Sequence, residues 1–309
     1  MVRFKELLGN PKCHPKFRKT KQTTCIPDEE LLKAAKYANI TVGSSRNSND
    51  SKIKNKRKKL SAKVTAAKVT AKAKKNKTLR LRKQLAAKIG CQPNSERCII
   101  DKLSLNAASR KNLESYLRPK MPDSWKNDPD QWLDNTNIEA VMKQYEDARN
   151  DFKFLGVHPI DFSSPNPYES TNQQKCLVPQ MCNVSIPELR KNGIHSVGVV
   201  FNLDPHTKSG SHWVSCYIDT VNCWVYYFDS YGIKPPRLIH LFMKSLLRDE
   251  PKMKLGYNAR RFQFGGSECG MYSLYFLVCM LEGANFKEFV HRPVPDNVML
   301  QLRKWFFSD

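Results

Sequence analysis

Basic residues crowd into one end of this chain, and that confines where a hydrophobic core can form. The first 90 residues hold 26 of the 52 Lys and Arg but only 5 of the 29 Asp and Glu, so nearly all of the net charge of +23 belongs to the first third. Residues 44–88 carry no acidic residue after Asp50 and contain a weak near-repeat, SAKVTAAKVTAKAKK. Like charges repel, and there is little apolar surface to bury, so this segment reads as a solvated arm that becomes helical when its charges are neutralised. Such an arm suits nonspecific, salt-dependent contact with DNA phosphates. The weaker alternatives are a solubilising tail or a nuclear-localisation signal, and the arm lacks the interleaved aromatics that would stack on bases. Ahead of it, DEELLKAAKYA (28–38) has an amphipathic pattern with an acidic first turn, which makes residues 1–43 a small helical element. The globular domain is expected over 89–309, with its core motifs between 125 and 283.

No apolar run approaches the roughly 20 residues that span a bilayer. The chain opens MVRFKELLGN, without an apolar signal region, which predicts an intracellular protein or one carried in a particle assembled inside a cell. In that setting the ten cysteines need not pair, and each is weighed as core residue, ligand or nucleophile. Cys13, His14, Cys25, Cys91 and Cys98 are the candidates for zinc. No CxxC pair is present and CHPKFRKTKQTTC spaces its cysteines too widely for a knuckle, so no metal or other cofactor is expected.

Within the globular part, Trp125, Trp132, Ile138, Val141, Met142 and Tyr145 fall at helical spacings, with an N-cap offered by residues 135–137. Residues 152–190, rich in Pro and Asn, read mostly as loops. Three β-forming runs follow: IHSVGVVFNL (194–203), HWVSCYID (212–219) and CWVYYFDS (223–230). Then come a helix, RLIHLFMKSLLRD, after Pro235-Pro236, and an apolar helix over 269–282 closed by Gly283. The order of helices and strands is α+β.

The segment FQFGGSECGMYSLYF (262–276) is where chemistry concentrates. Cys269 sits where a Gly-rich turn becomes an apolar helix, and the positive end of that helix favours a thiolate. Cys279, inside the helix, reads as core. Gly265, Gly266 and Gly270 leave room for a substrate backbone. If the second and third β-runs pair about a turn centred near 220 or 221, His212 stands opposite Asp229 at the open end of the hairpin. Asp229 would then orient the imidazole, His212 would accept the thiol proton, and the Cys269 N–H with the Gln263 amide would bind an oxyanion. A strand histidine and a strand-ending aspartate each have ordinary structural roles; the order His, Asp, Gln, Cys is what points to catalysis.

Those residues carry a family resemblance. His212-Trp213, FDS (228–230), Gln263 and ECG (268–270), with WLDNTNIEAVM (132–142) upstream, resemble the motifs of the Ulp1-like cysteine proteases, the clan of SUMO-specific proteases and adenovirus protease. The resemblance implies a central mixed sheet flanked by helices, preceded here by the basic N-terminal region. It implies Cys269 as nucleophile, His212 as general base, Asp229 as orienting acid and Gln263 in the oxyanion hole. It also implies that Trp132 and Trp213 flank a channel for an extended Gly-Gly segment, because two indoles exclude branched side chains. Where the family usually reads Asn-Asp after Trp-Leu, this chain has Asp134-Asn135.

The paired cysteines at 91 and 98, RPKMPDSWKNDPDQWL and FLGVHPIDF are similar to virion-maturation proteases of large nucleocytoplasmic DNA viruses. That similarity implies a virion enzyme, present in host cytoplasm during assembly, that cuts polyprotein or core-protein precursors after Gly-Gly-type sites. Its partner is then a protein substrate, with DNA contacted through the arm and no membrane. The competing readings are a SUMO or ubiquitin-like isopeptidase with the same triad, for which no exosite is recognisable, and an inactive nucleic-acid-binding virion protein, against which the four intact residues count.

Overall fold

The computed structural model describes residues 13–17, 24–42, 76–167 and 176–308. Most of the arm, 43–75, lies outside the described residues. The chain divides into two compact units, one of residues 20–117 and one of residues 1–19 with 118–309. The division falls later than the sequence reading put it, since 89–117 belong with the helical unit.

The unit of 20–117 is helical: α1 (Asp28–Tyr37), α2 (76–88), α3 (Glu96–Lys102) and α4 (Ala107–Glu114). The end of the expected arm is therefore a packed helix. The reason is Arg82, fully buried beside Leu85 and Ala86. Its guanidinium donates to Asp28 at 2.6 Å, to Glu96 at 3.1 Å and to the Ile26 carbonyl at 2.8 Å. Glu96 in turn accepts from the backbone N–H groups of Cys25 and Ile26, both at 2.9 Å. A buried cation is tolerated only when it is paired and hydrogen-bonded in this way.

The second unit is built on a five-stranded sheet in the order β1-β2-β3-β4-β5. The strands are β1 (Phe152–Pro159), β2 (Ser196–Asn202), β3 (Trp213–Asp219), β4 (Trp224–Phe228) and β5 (Lys254–Tyr257). The outer pairs are parallel and the central ones antiparallel, a mixed sheet as expected. Helix α5 (Asn135–Ala148) precedes β1, the short α6 (Pro179–Cys182) and α7 (Ile186–Lys191) precede β2, and α8 (Arg237–Asp249) follows β4. The chain ends with α9 (Cys269–Leu281), α10 (Phe286–His291) and α11 (Asp296–Phe306). Phe152 and Val200 face a core made with α5, α9 and α11, while Val197, Val199 and Phe201 face a second core made with α7 and α8. Strands covered on both faces need not alternate in polarity, which is why β2 and β3 read as continuous apolar runs.

Two further expectations change. The described part of 152–190 holds more regular structure than expected: β1 is there, and a bulge between Phe154 and Val157 together with Gly156 at φ 104 breaks its alternation. The N-cap of α5 is Asp134, one residue before the expected stretch, in a capping box with Asn137. This engages the Asp134 carboxylate at the departure from the family pattern.

The cysteines also sort differently. Cys91–Cys98 and Cys176–Cys182 are disulfides, and Cys13 and Cys25 are disulfide-bonded as well. Tight local turns bring the first two pairs to Cα separations of 5.9 and 6.5 Å, within disulfide reach. The zinc candidates Cys13, Cys25, Cys91 and Cys98 are thus occupied, and no cluster of three or more ligating side chains occurs among the described residues. Among the described residues no helix is long and apolar enough to cross a membrane.

Candidate active site

Four free thiols remain: Cys216, Cys223, Cys269 and Cys279. Burial pushes the Cys216 thiol up and holds Cys279 at about 12, so both stay protonated near neutrality. Cys223 ends the β3–β4 turn and accepts from Arg190 at 3.1 Å. Cys269 is the first residue of α9, where unpartnered backbone N–H groups converge.

The hairpin brings the histidine to it, in a register other than the expected one. Asp219 pairs with Trp224 and Ser215 with Phe228, so the turn is centred between 221 and 222. Asp219 Oδ1 accepts from the N–H groups of Val221 and Asn222, and Cys223 takes φ 61, which together make room for the longer turn. Extended to the open end, this register puts His212 opposite Tyr231, and their rings do stack at 4.7 Å. Asp229 is the diagonal neighbour. His212 Nε2 donates to Asp229 Oδ1 at 2.8 Å.

Groups the sequence reading missed hold Asp229 in place. Asn258 accepts from the Asp229 N–H at 2.9 Å and donates to its carbonyl at 2.6 Å, and the Tyr231 N–H donates to Asp229 Oδ1 at 2.8 Å. No motif spacing marks Asn258, because β5, four residues long and ending just before it, gives little sequence signal. Ser230 donates to Gln263 Oε1 at 2.6 Å, which turns the amide so that Nε2 donates to the Gly265 carbonyl at 2.9 Å with its second hydrogen to spare.

Burial by itself would lower the pKa of His212. The hydrogen bond to Asp229 and the interaction with the Cys269 side chain outweigh it, and the ring is raised to about 9. An imidazolium favoured in this way beside a thiol at a helix N-terminus is the arrangement that supports a thiolate nucleophile. Glu268, the residue before Cys269, would oppose it. Its carboxylate is instead bonded to Arg303 at 2.8 Å, and Arg303 lies 4.4 Å over the Trp125 ring.

The thiol is buried, for Cys269 is 1% exposed. Gly270 explains this and has a different role from the one expected. A Cβ there would meet Leu133 at 2.9 Å and Trp213 at 3.2 Å, so the glycine admits these residues over the first turn of α9 rather than a substrate. Gly266, by contrast, has open space on that side. Trp213 is pinned by donation from its indole N–H to the Leu133 carbonyl at 2.8 Å. Trp132 is 45% exposed, and both tryptophans line one groove of about 490 Å³ that continues past His158, Asn202 and Gly210. His158 is lowered in pKa mainly by burial and is bonded to the Leu155 carbonyl at 2.8 Å, a structural role.

Residues 197–309 match the model of the Ulp1 protease family, C-terminal catalytic domain. The chain is 30% identical over 185 residues to a protein named as a thiol protease of Acanthamoeba polyphaga mimivirus, a match covering 58% of this chain and 57% of that protein. It is 27% identical over 232 residues to a cysteine protease of African swine fever virus, covering 71% of this chain and 84% of that one. The fold is similar to the crystal structure of an African swine fever virus protease, with a TM-score of 0.61 at 19% identity over 98% of both chains. The chain spans less than two thirds of the mimivirus relative it matches.

Proposed function

We propose that this chain, which carries a Ulp1-like cysteine-peptidase domain, is an endopeptidase that cuts viral polyprotein or core-protein precursors after Gly-Gly-type sites. The observation that carries the reading is the His212–Asp229 bond beside Cys269, with the imidazole pKa raised to about 9. In this reading His212 takes the thiol proton, and the Cys269 thiolate attacks the scissile carbonyl. The Cys269 N–H and the spare Gln263 Nε2 hydrogen receive the oxyanion, which forms in a site shielded from water. His212 then protonates the departing amine, and water, deprotonated by His212, releases the acyl group. The groove between Trp132 and Trp213 takes the acyl side, where only an extended glycine pair passes two indoles without a side-chain clash. The enzyme works in the virion and, during assembly, in host cytoplasm, with the arm holding it to DNA.

The test is incubation of the full chain with a precursor peptide carrying Gly-Gly-X, alongside Cys269→Ala and His212→Ala. Cleavage by the wild type alone is expected, and cleavage that survives Cys269→Ala would sink the mechanism. Cleavage of a SUMO conjugate but of no precursor would select an isopeptidase instead. Because Arg82 anchors α2, the deletion that tests DNA contact is 44–75. It is expected to weaken DNA binding and spare peptide cleavage.

A further inference from the structure

Two surfaces adjoin His212. One is the tryptophan groove; the other is a stack of side chains that no sequence motif marks. The Tyr231 ring lies on the imidazole at 4.7 Å and 21°. Its hydroxyl donates to the Gly265 carbonyl at 3.3 Å. The Arg261 guanidinium lies over the same tyrosine ring, 5.1 Å from its centroid. A stacked imidazole and a guanidinium cannot share one face, so Tyr231 stands between them. Arg261 also lies 4.9 Å from the centroid of Phe264, a ring that is 74% exposed. A phenyl ring so exposed adds little to the core, and an arginine fixed against two rings loses little freedom on binding an anion.

The charge of Arg261 is available. Its Nε donates to a neutral group, the Gln263 carbonyl, at 2.6 Å, and among the described residues no carboxylate pairs with it. The carboxylate that does reach this loop, Asp296, is occupied by the N–H groups of Phe264 and Gly265 and by the Tyr272 hydroxyl.

We infer that Tyr231, Arg261 and Phe264 form the subsite for the leaving side of the substrate, and that Arg261 selects an acidic side chain shortly after the scissile bond. The inference rests on the peptidase reading above. With the acyl side in the tryptophan groove, the departing amine takes its proton from His212 and lies against what covers that imidazole, which is Tyr231. Beyond Tyr231 the chain meets the clamped guanidinium and the exposed phenyl ring. A carboxylate there gains a charge-assisted bond from a pre-oriented donor, whereas a lysine meets like charge.

The test uses two Gly-Gly peptides that differ only in Glu or Lys on the leaving side, together with a Gly-Gly aminocoumarin amide that has no leaving-side residues. The quantity read is the ratio of kcat/KM for the Glu peptide over the Lys peptide, in which a general loss of activity cancels. In the wild type the ratio is expected to favour Glu by about 3- to 10-fold at low salt, shrinking as salt is added. Arg261→Gln is expected to bring it near one, and Arg261→Glu to invert it. An unchanged ratio in both variants overturns the inference, as does a wild-type ratio of one while the coumarin amide is cut. If the wild type cuts neither peptide nor the coumarin amide, the peptidase reading fails and this inference falls with it.

Discussion

The two ends of α9 carry the same functional group in different surroundings. Cys269 opens the helix and Cys279 lies near its end, and both are buried, at 1% and 3% exposure. What separates them is the company each keeps. Cys279 meets the Tyr275 hydroxyl and, further off, the Glu282 carboxylate, and burial above all holds the thiol at about 12. Cys269 has the helix N-terminus behind it and, in front, an imidazole that burial lowers but Asp229 and Cys269 together raise to about 9. Exposure does not distinguish the two thiols; a charged partner and a helix end do.

The comparison is broken most severely at Cys269 itself. Cys269→Ala should lower kcat on a Gly-Gly peptide by at least about 10⁴-fold. Next comes Asp229→Asn, which removes the acceptor that orients and charges the imidazole. A loss of about 10²- to 10⁴-fold in kcat is expected. The wild type should lose activity as pH rises through about 9, where His212 gives up its proton, and in Asp229→Asn that limb should move to lower pH. Stability follows the same sign: because the folded-state pKa of His212 is raised from 6.5 to about 9, its contribution is complete below about 6.5 and is lost as pH rises through about 9. A basic limb that stays in place in Asp229→Asn would detach the aspartate from the imidazole.

Arg303→Met acts one step further out. It leaves the buried Glu268 carboxylate without its partner, and a cost of about 3–5 kcal/mol in unfolding free energy is expected. The companion Glu268→Gln should be milder, since the amide keeps an oxygen for Arg303 to donate to and the guanidinium keeps the Trp125 ring. Equal losses in the two variants, measured by denaturant titration, would contradict the account of Glu268. The smallest effect belongs to Cys279→Ala, about 1 kcal/mol of stability with kcat on the Gly-Gly peptide unchanged.

What could be read from the sequence divides along the same helix. The boundaries of α8 and the start of α9 were legible, because a Pro-Pro stop and a Gly-rich turn mark them locally. The candidate quartet of His212, Asp229, Gln263 and Cys269 was legible as an ordered set of residue types. The hairpin register was not, since it depends on a turn whose length is set by the Asp219 side chain and by Cys223 at positive φ. The supports also went unread: Asn258 and Tyr231 act through contacts that no spacing encodes. Arg82 was hidden in a tract of like charges, where only the tertiary partners Asp28 and Glu96 distinguish it from its solvated neighbours. Strand β1 was masked by its own bulge.

The central claim is that His212, set against the Cys269 side chain at the start of α9, makes Cys269 the reactive thiol. The most direct measurement is the rate of iodoacetamide modification at pH 7 of each free cysteine, read by mass spectrometry in the wild type and in His212→Ala. The account predicts that Cys269 is modified well ahead of Cys279 and Cys216, and that His212→Ala slows it by roughly ten-fold or more. Modification of Cys279 as fast as Cys269, or a Cys269 rate indifferent to His212→Ala, would contradict it.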